Sequence, residues 1–75
     1  MTERRLNPTK LLLSKWTALA PVQHEKHFLV TKIINPEAPV NEIEDVVLEA
    51  VLTRRTFTLP WRELTNPDVW LQGWH

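Results

Sequence analysis

The 75-residue chain has no Cys, a single Gly and no long apolar run. Each absence removes a class of protein. Without Cys there is no disulfide framework and no thiolate metal site, which suits a reducing compartment. The longest aliphatic run near the N-terminus is Leu11-Leu12-Leu13, and Lys15 follows it closely. That is shorter than the roughly 7–15 residues of a signal-peptide core. No stretch approaches the ~20 apolar residues of a membrane helix. The expectation is a soluble cytoplasmic protein with no membrane association. One Gly cannot make a glycine-rich phosphate loop, and no Ser or Thr stands in a nucleophile motif. A buried active site is hard to build at this length, so neither catalysis nor a cofactor is expected.

Tryptophan is what the chain has in plenty: Trp16, Trp61, Trp70 and Trp74. Three of the four fall in the closing stretch "LPWRELTNPDVWLQGWH", from Leu59 to His75. A chain of this length makes one domain, residues 1–75, and a core so small supplies only ~3–5 kcal/mol of net stability. Each Trp can bury ~150–250 Å², so tryptophan can replace the missing disulfide or metal as a staple. Face assignment puts Trp61 and Trp70 in the core. Trp16 lies between Lys15 and Thr17 in an extended stretch and is expected to be partly exposed. For Trp74, core and surface are equally compatible with the sequence.

The charges cancel, nine Lys/Arg against nine Asp/Glu, but they are sorted along the chain. Residues 1–35 hold six bases and two acids, whereas residues 36–49 hold Glu37, Glu42, Glu44, Asp45 and Glu49 and no base. Zero net charge argues against strong nonspecific attraction to nucleic acid. A local basic face is compatible with it if the acidic segment lies elsewhere.

Asn precedes Pro three times, at Asn7-Pro8, Asn35-Pro36 and Asn66-Pro67, and such pairs start turns or helices. Residues 1–10 and 36–44 are expected to be irregular. Asn7 is an N-cap candidate with Pro8 at N1, opening a turn or short helical piece to about Leu12. An extended stretch from Ser14 to Leu19 follows, then a loop over 20–26. "HFLVTKII" is rich in β-formers, with Phe28, Val30 and Ile34 on one side and Leu29, Thr31 and Ile33 on the other.

"EDVVLEAVLTRRTFTLPW" predicts a hairpin. Folding about Arg54-Arg55, through a loop over Thr53 to Thr56, sets Leu52 opposite Phe57, Ala50 opposite Leu59 and Leu48 opposite Trp61. One apolar face results, and Glu49, Thr56 and Thr58 point away from it. Pro60 ends the ladder or sits on an edge. "TNPDVWLQGW" predicts a short helix over 66–73, with Asn66 as N-cap and Pro67 at N1. Gly73 then supplies the left-handed stop, and Trp74 clamps back on Val69. The expected fold is mainly β: a small curled antiparallel sheet, an SH3-like partly open barrel of three to five strands, with a short C-terminal helix. The alternative is an α+β arrangement with an N-terminal helix on the sheet.

The stretches "NPTKLLLSKWTAL", "KHFLVTKI" and "VVLEAVLTRRTFTLPWREL…W…GW" together resemble a family of small tryptophan-rich conserved bacterial proteins of unknown function. The resemblance covers nearly the whole chain. It implies a bacterial, cytoplasmic protein and brings no activity and no site residues.

Three constellations bear on function. His24 and His27 have the HxxH spacing of a ligand pair that His75 would join, but zinc needs three or four converging ligands, and a solvated loop is the simpler reading. The acidic residues lack calcium-loop spacing and read as a solvated face. Tryptophans interleaved with bases remain. Lys15, Trp16, Lys32, Arg54, Arg55 and Arg62 are the candidate binding residues, since β modules stack bases on aromatics and neutralise phosphate with Lys and Arg. Against this, Trp fills cores while Lys and Arg stems cover its edges. The function expected is a noncatalytic, monomeric binding module whose partner, RNA on a basic aromatic face or a protein, the sequence leaves undecided. The alternative is a protein–protein interaction module, and metal binding is the remote one.

Overall fold

The computed structural model describes residues 6–22 and 24–75. Five strands form: β1 (Lys15–Val22), β2 (Glu25–Ile33), β3 (Asp45–Ala50), β4 (Thr56–Pro60) and β5 (Trp70–Gln72). They make one open antiparallel sheet in the order β4-β3-β2-β1-β5. The molecule is a slab, 35 × 31 × 15 Å, as expected when a single sheet has one face covered by chain and the other left open.

The mainly β expectation holds, with five strands among the described residues and β4 and β5 outermost in the sheet. Among the described residues no α-helix forms, only 3-10 turns at Pro8–Lys10, Val40–Glu42 and Trp61–Thr65. None is long and apolar enough to cross a membrane. The N-terminal piece is one turn, capped by Asn7 Oδ1 accepting from Thr9 N at 3.0 Å, so the α+β alternative fails. The loop expected over 20–26 is shorter, because β1 runs on to Val22 and β2 begins at Glu25.

Alternation decides the covered face. It carries Trp16, Phe28, Val30, Ile33, Val46, Leu48, Ala50, Leu59 and Trp70, all buried. Leu11, Ile43 and Leu64, from the connecting segments, complete the same cluster. Ile33 corrects the sequence reading, which set it opposite Phe28 and Val30. The ladder pairs Val30 with Leu48 but Lys32 with Val47, so Thr31 is an extra residue, a β-bulge. The bulge advances the alternation by one and turns Ile33 inward.

The β3–β4 hairpin keeps its predicted face and loses its predicted register. Leu48 lies opposite Phe57 and not Trp61, and Val46 lies opposite Leu59. The partner of Leu48 is thus displaced by four residues along β4, and an even displacement keeps the same side chains inward. Pro60 supplies the reason. In the expected register it would oppose Glu49 inside the ladder, where its missing N–H breaks pairing. In the observed one it closes the ladder opposite Asp45. The loop therefore spans residues 51–55, with Arg54 in the left-handed region at φ 64°. Leu52, expected inside, is 70% exposed. Trp61 leaves the strand for the following 3-10 turn, half-buried, its Nε1 donating to Ile43 O at 2.7 Å.

The helix expected over 66–73 is absent. Asn66 caps only a single turn, accepting from Asp68 N at its side chain (3.0 Å) and from Val69 N (3.2 Å) and Trp70 N (3.1 Å) at its carbonyl. The chain then pairs as β5 with β1, Ala18 opposite Trp70 and Trp16 opposite Gln72. So short a segment barely offsets helix nucleation, whereas one step into the sheet buries Trp70. Trp16 is also corrected: it is fully buried, facing inward opposite Phe28, and its Nε1 donates to Ser14 Oγ at 2.8 Å.

Candidate functional site

The open face of the sheet is built in rows. Lys15, Leu29, Glu49 and Thr56 are consecutive partners across β1, β2, β3 and β4. Lys32, Val47 and Thr58 form the next row, and Leu71, Thr17 and His27 the row on the other side. Leu29 and Val47 are only half-buried, while Lys15, Lys32, Thr56 and Thr58 are exposed.

The C-terminal tail completes this face. Gly73, at φ 88°, turns the chain where β5 ends, its N–H donating to Lys15 O at 2.7 Å. A side chain would have ordinary room there, since the nearest atom to an added Cβ is at 3.5 Å. The dihedral is what asks for Gly. Beyond it the tail crosses β1. Thr17 Oγ1 donates to Gly73 O (2.7 Å) and accepts from His75 N (3.0 Å), which is why a Thr on the open side is 1% exposed. His27 Nε2 donates to His75 O at 2.8 Å.

Trp74 therefore lies across β1 and β2. Its Nε1 donates to Phe28 O at 2.9 Å, the Lys15 ammonium sits 4.8 Å from the ring centroid, and the His27 ring is 6.1 Å away. It remains 43% exposed. With Leu29, Glu49, Val51 and Arg54 it lines an open groove of about 230 Å³.

Of the six residues chosen from sequence, three meet here. Lys15 and Lys32 stand on the open face, and Arg54 reaches it by pairing with Glu49 at 3.1 Å. Three do not. Trp16 is in the core. Arg62 packs over Trp61 at 5.0 Å, beyond the end of β4. Arg55 turns away to Glu25, donating from Nε at 3.0 Å and also from Nη2, while Thr53 Oγ1 donates to the same carboxylate. Those hydrogen bonds, Arg55 first and Thr53 second, hold the Glu25 carboxyl down at about 2 from its ordinary 4.5, and the pairing raises Arg55 in turn. Desolvation of this 3% exposed carboxylate opposes the shift, and those hydrogen bonds outweigh it.

Sequence reasoning missed Trp74 as the exposed aromatic. The available signal was Gly73: a left-handed residue before the last Trp redirects the tail whether a helix or a strand precedes it. Glu25 carried no signal, because its partners are 28 and 30 residues away. The HxxH pair does not converge: His24 is exposed, the His27 ring faces the His75 carbonyl, and the described residues contain no group of three or more metal-ligating side chains. A family model described as tryptophan-rich protein (DUF2389) matches residues 14–75. No curated protein and no solved structure matches the chain.

Proposed function

The chain belongs to the tryptophan-rich protein family DUF2389, and on that footing we propose that it is a noncatalytic binding module taking single-stranded RNA on the open face of its sheet. One observation carries this reading. Trp74 is anchored through its indole N–H yet 43% exposed, beside Lys15 and in one groove with Arg54. An anchored aromatic plane stacks a base at low entropic cost, and flanking cations neutralise phosphate. Lys32 extends the basic surface one row further. The Glu49 partner of Arg54 is a weak competitor, because an ion pair whose Arg side chain is 82% exposed contributes little.

The test is a titration with short oligouridylate followed by backbone NMR at two salt concentrations. Shifts should gather at Lys15, Leu29, Lys32, Val51, Arg54 and Trp74 and spare residues 37–44. The double change K15A/K32A should lower the salt slope by up to roughly 1.4, at ~0.7 per single-strand phosphate contact. No shift at low salt would end the RNA reading. An acidic peptide is the second reading, favoured by Val51 and Leu52, which stand 41% and 70% exposed beside Arg54. It would shift the same groove with signals centred on the β3–β4 loop.

A further inference from the structure

On the covered side of the sheet, the end away from the Leu11, Ile43 and Leu64 lid is hollow. Ala18 and Ala20 continue the inward line of β1 beyond Trp16, and their small side chains leave a pocket of about 240 Å³. Its walls are Ala20, Phe28, Phe57 and Trp70, with Glu25 and Arg55 also lining it. Phe28 meets Phe57 and Trp70 edge to face, at 5.8 and 5.2 Å. A cavity of roughly 150 Å³ holds a benzene ring, so this one has room for one ring and a short tether.

The ion pair gives the pocket a chemical direction. Glu25 is 3% exposed and Arg55 61%. Glu25 takes the Nε and Nη2 side of the guanidinium. The Nη1–Nη2 end of the planar fork is left directed elsewhere, and that end matches a carboxylate bidentately. The buried carboxylate thus fixes the orientation of an exposed cation beside an aromatic hollow. We infer that this pocket binds an apolar, ring-bearing group that carries one carboxylate, with the ring against Phe28, Phe57 and Trp70 and the carboxylate on the outer fork of Arg55. A free aromatic acid and the C-terminal aromatic residue of a peptide share this chemistry.

The whole chain is titrated with 3-phenylpropionate, with 3-phenylpropionamide, and with a hexapeptide ending in Phe, as free acid and as amide, following NMR shifts and Trp fluorescence. The acids should bind saturably with shifts at Arg55, Phe57 and Trp70, and each amide should bind at least about tenfold more weakly, having lost a charge-assisted pair. R55K keeps an ion pair with Glu25 but not the fork, and should weaken the acid by a similar factor. A20L should block the pocket while leaving the melting temperature unchanged. Tighter binding of the free-acid peptide than of phenylpropionate identifies a chain terminus as occupant, and the reverse identifies a small acid. Absence of saturable shifts at millimolar acid overturns the assignment. So does equal binding of acid and amide, or unchanged binding in A20L. This site lies on the side opposite Trp74, so its failure and that of the RNA reading are separate results.

Discussion

Trp16 and Trp74 show how one residue type takes two tasks. Each is hydrogen-bonded through its indole N–H, but Trp16 is sealed among apolar side chains whereas Trp74 lies on top of strands. Trp16→Ala should cost ~3–5 kcal/mol, about the whole net stability of so small a core, and abolish cooperative melting. Trp74→Ala should leave a folded chain, because the bond to Phe28 is worth only ~0.5–1.5 kcal/mol net, while weakening RNA by ~1–3 kcal/mol for a lost stack. Calorimetry and the RNA titration separate the two. Glu25 sets an acid limit. Its folded pKa of about 2 lies below the unfolded 4.5, so the folded state binds fewer protons. The stability this provides is complete above the unfolded value and is lost as pH falls from 4.5 towards 2. Glu25→Gln should therefore be less stable than the parent at neutral pH, with the gap in urea midpoint closing across that window. A gap independent of pH would contradict the assignment.

At the scale of elements, the register of β3 and β4 separates two leucines that the sequence treats alike. Leu48 is fully buried opposite Phe57, and Leu52 stands in the loop at 70% exposure. Leu48→Ala should cost ~2–5 kcal/mol, whereas Leu52→Ala should stay within about 0.5 kcal/mol. Equal losses in chemical denaturation would restore the longer hairpin. The bulge at Thr31 and the left-handed Gly73 act in the same manner, each redirecting a following side chain: Ile33 into the core, Trp74 onto the open face.

For the molecule as a whole, β5 couples the last residues to the core, since it brings in Trp70 and launches the tail that covers Thr17. Removing residues 73–75 should preserve cooperative unfolding and cost only the tail's contacts. Removing residues 66–75 also strips β5 and Trp70 and should leave no cooperative transition by circular dichroism. Similar melting of the two truncations would show that β5 is dispensable.

Period-two patterning by itself determined that the chain is mainly β and that Leu48, Ala50 and Leu59 share an inner face, because alternation needs only neighbours in sequence. Asn7, Pro8 and Gly73 were equally legible, since capping and a positive φ are local demands. Tertiary structure alone decided the register about Pro60, the bulge that turns Ile33, and the strand in place of a helix at Trp70, since each depends on what a distant strand offers. It also divided the six candidate residues. Lys15, Lys32 and Arg54 share a face because their strands pair side by side, and Arg55 leaves it for a carboxylate 30 residues away. Sequence spacing carries no term for that partner, and only the folded chain brings it within hydrogen-bond reach.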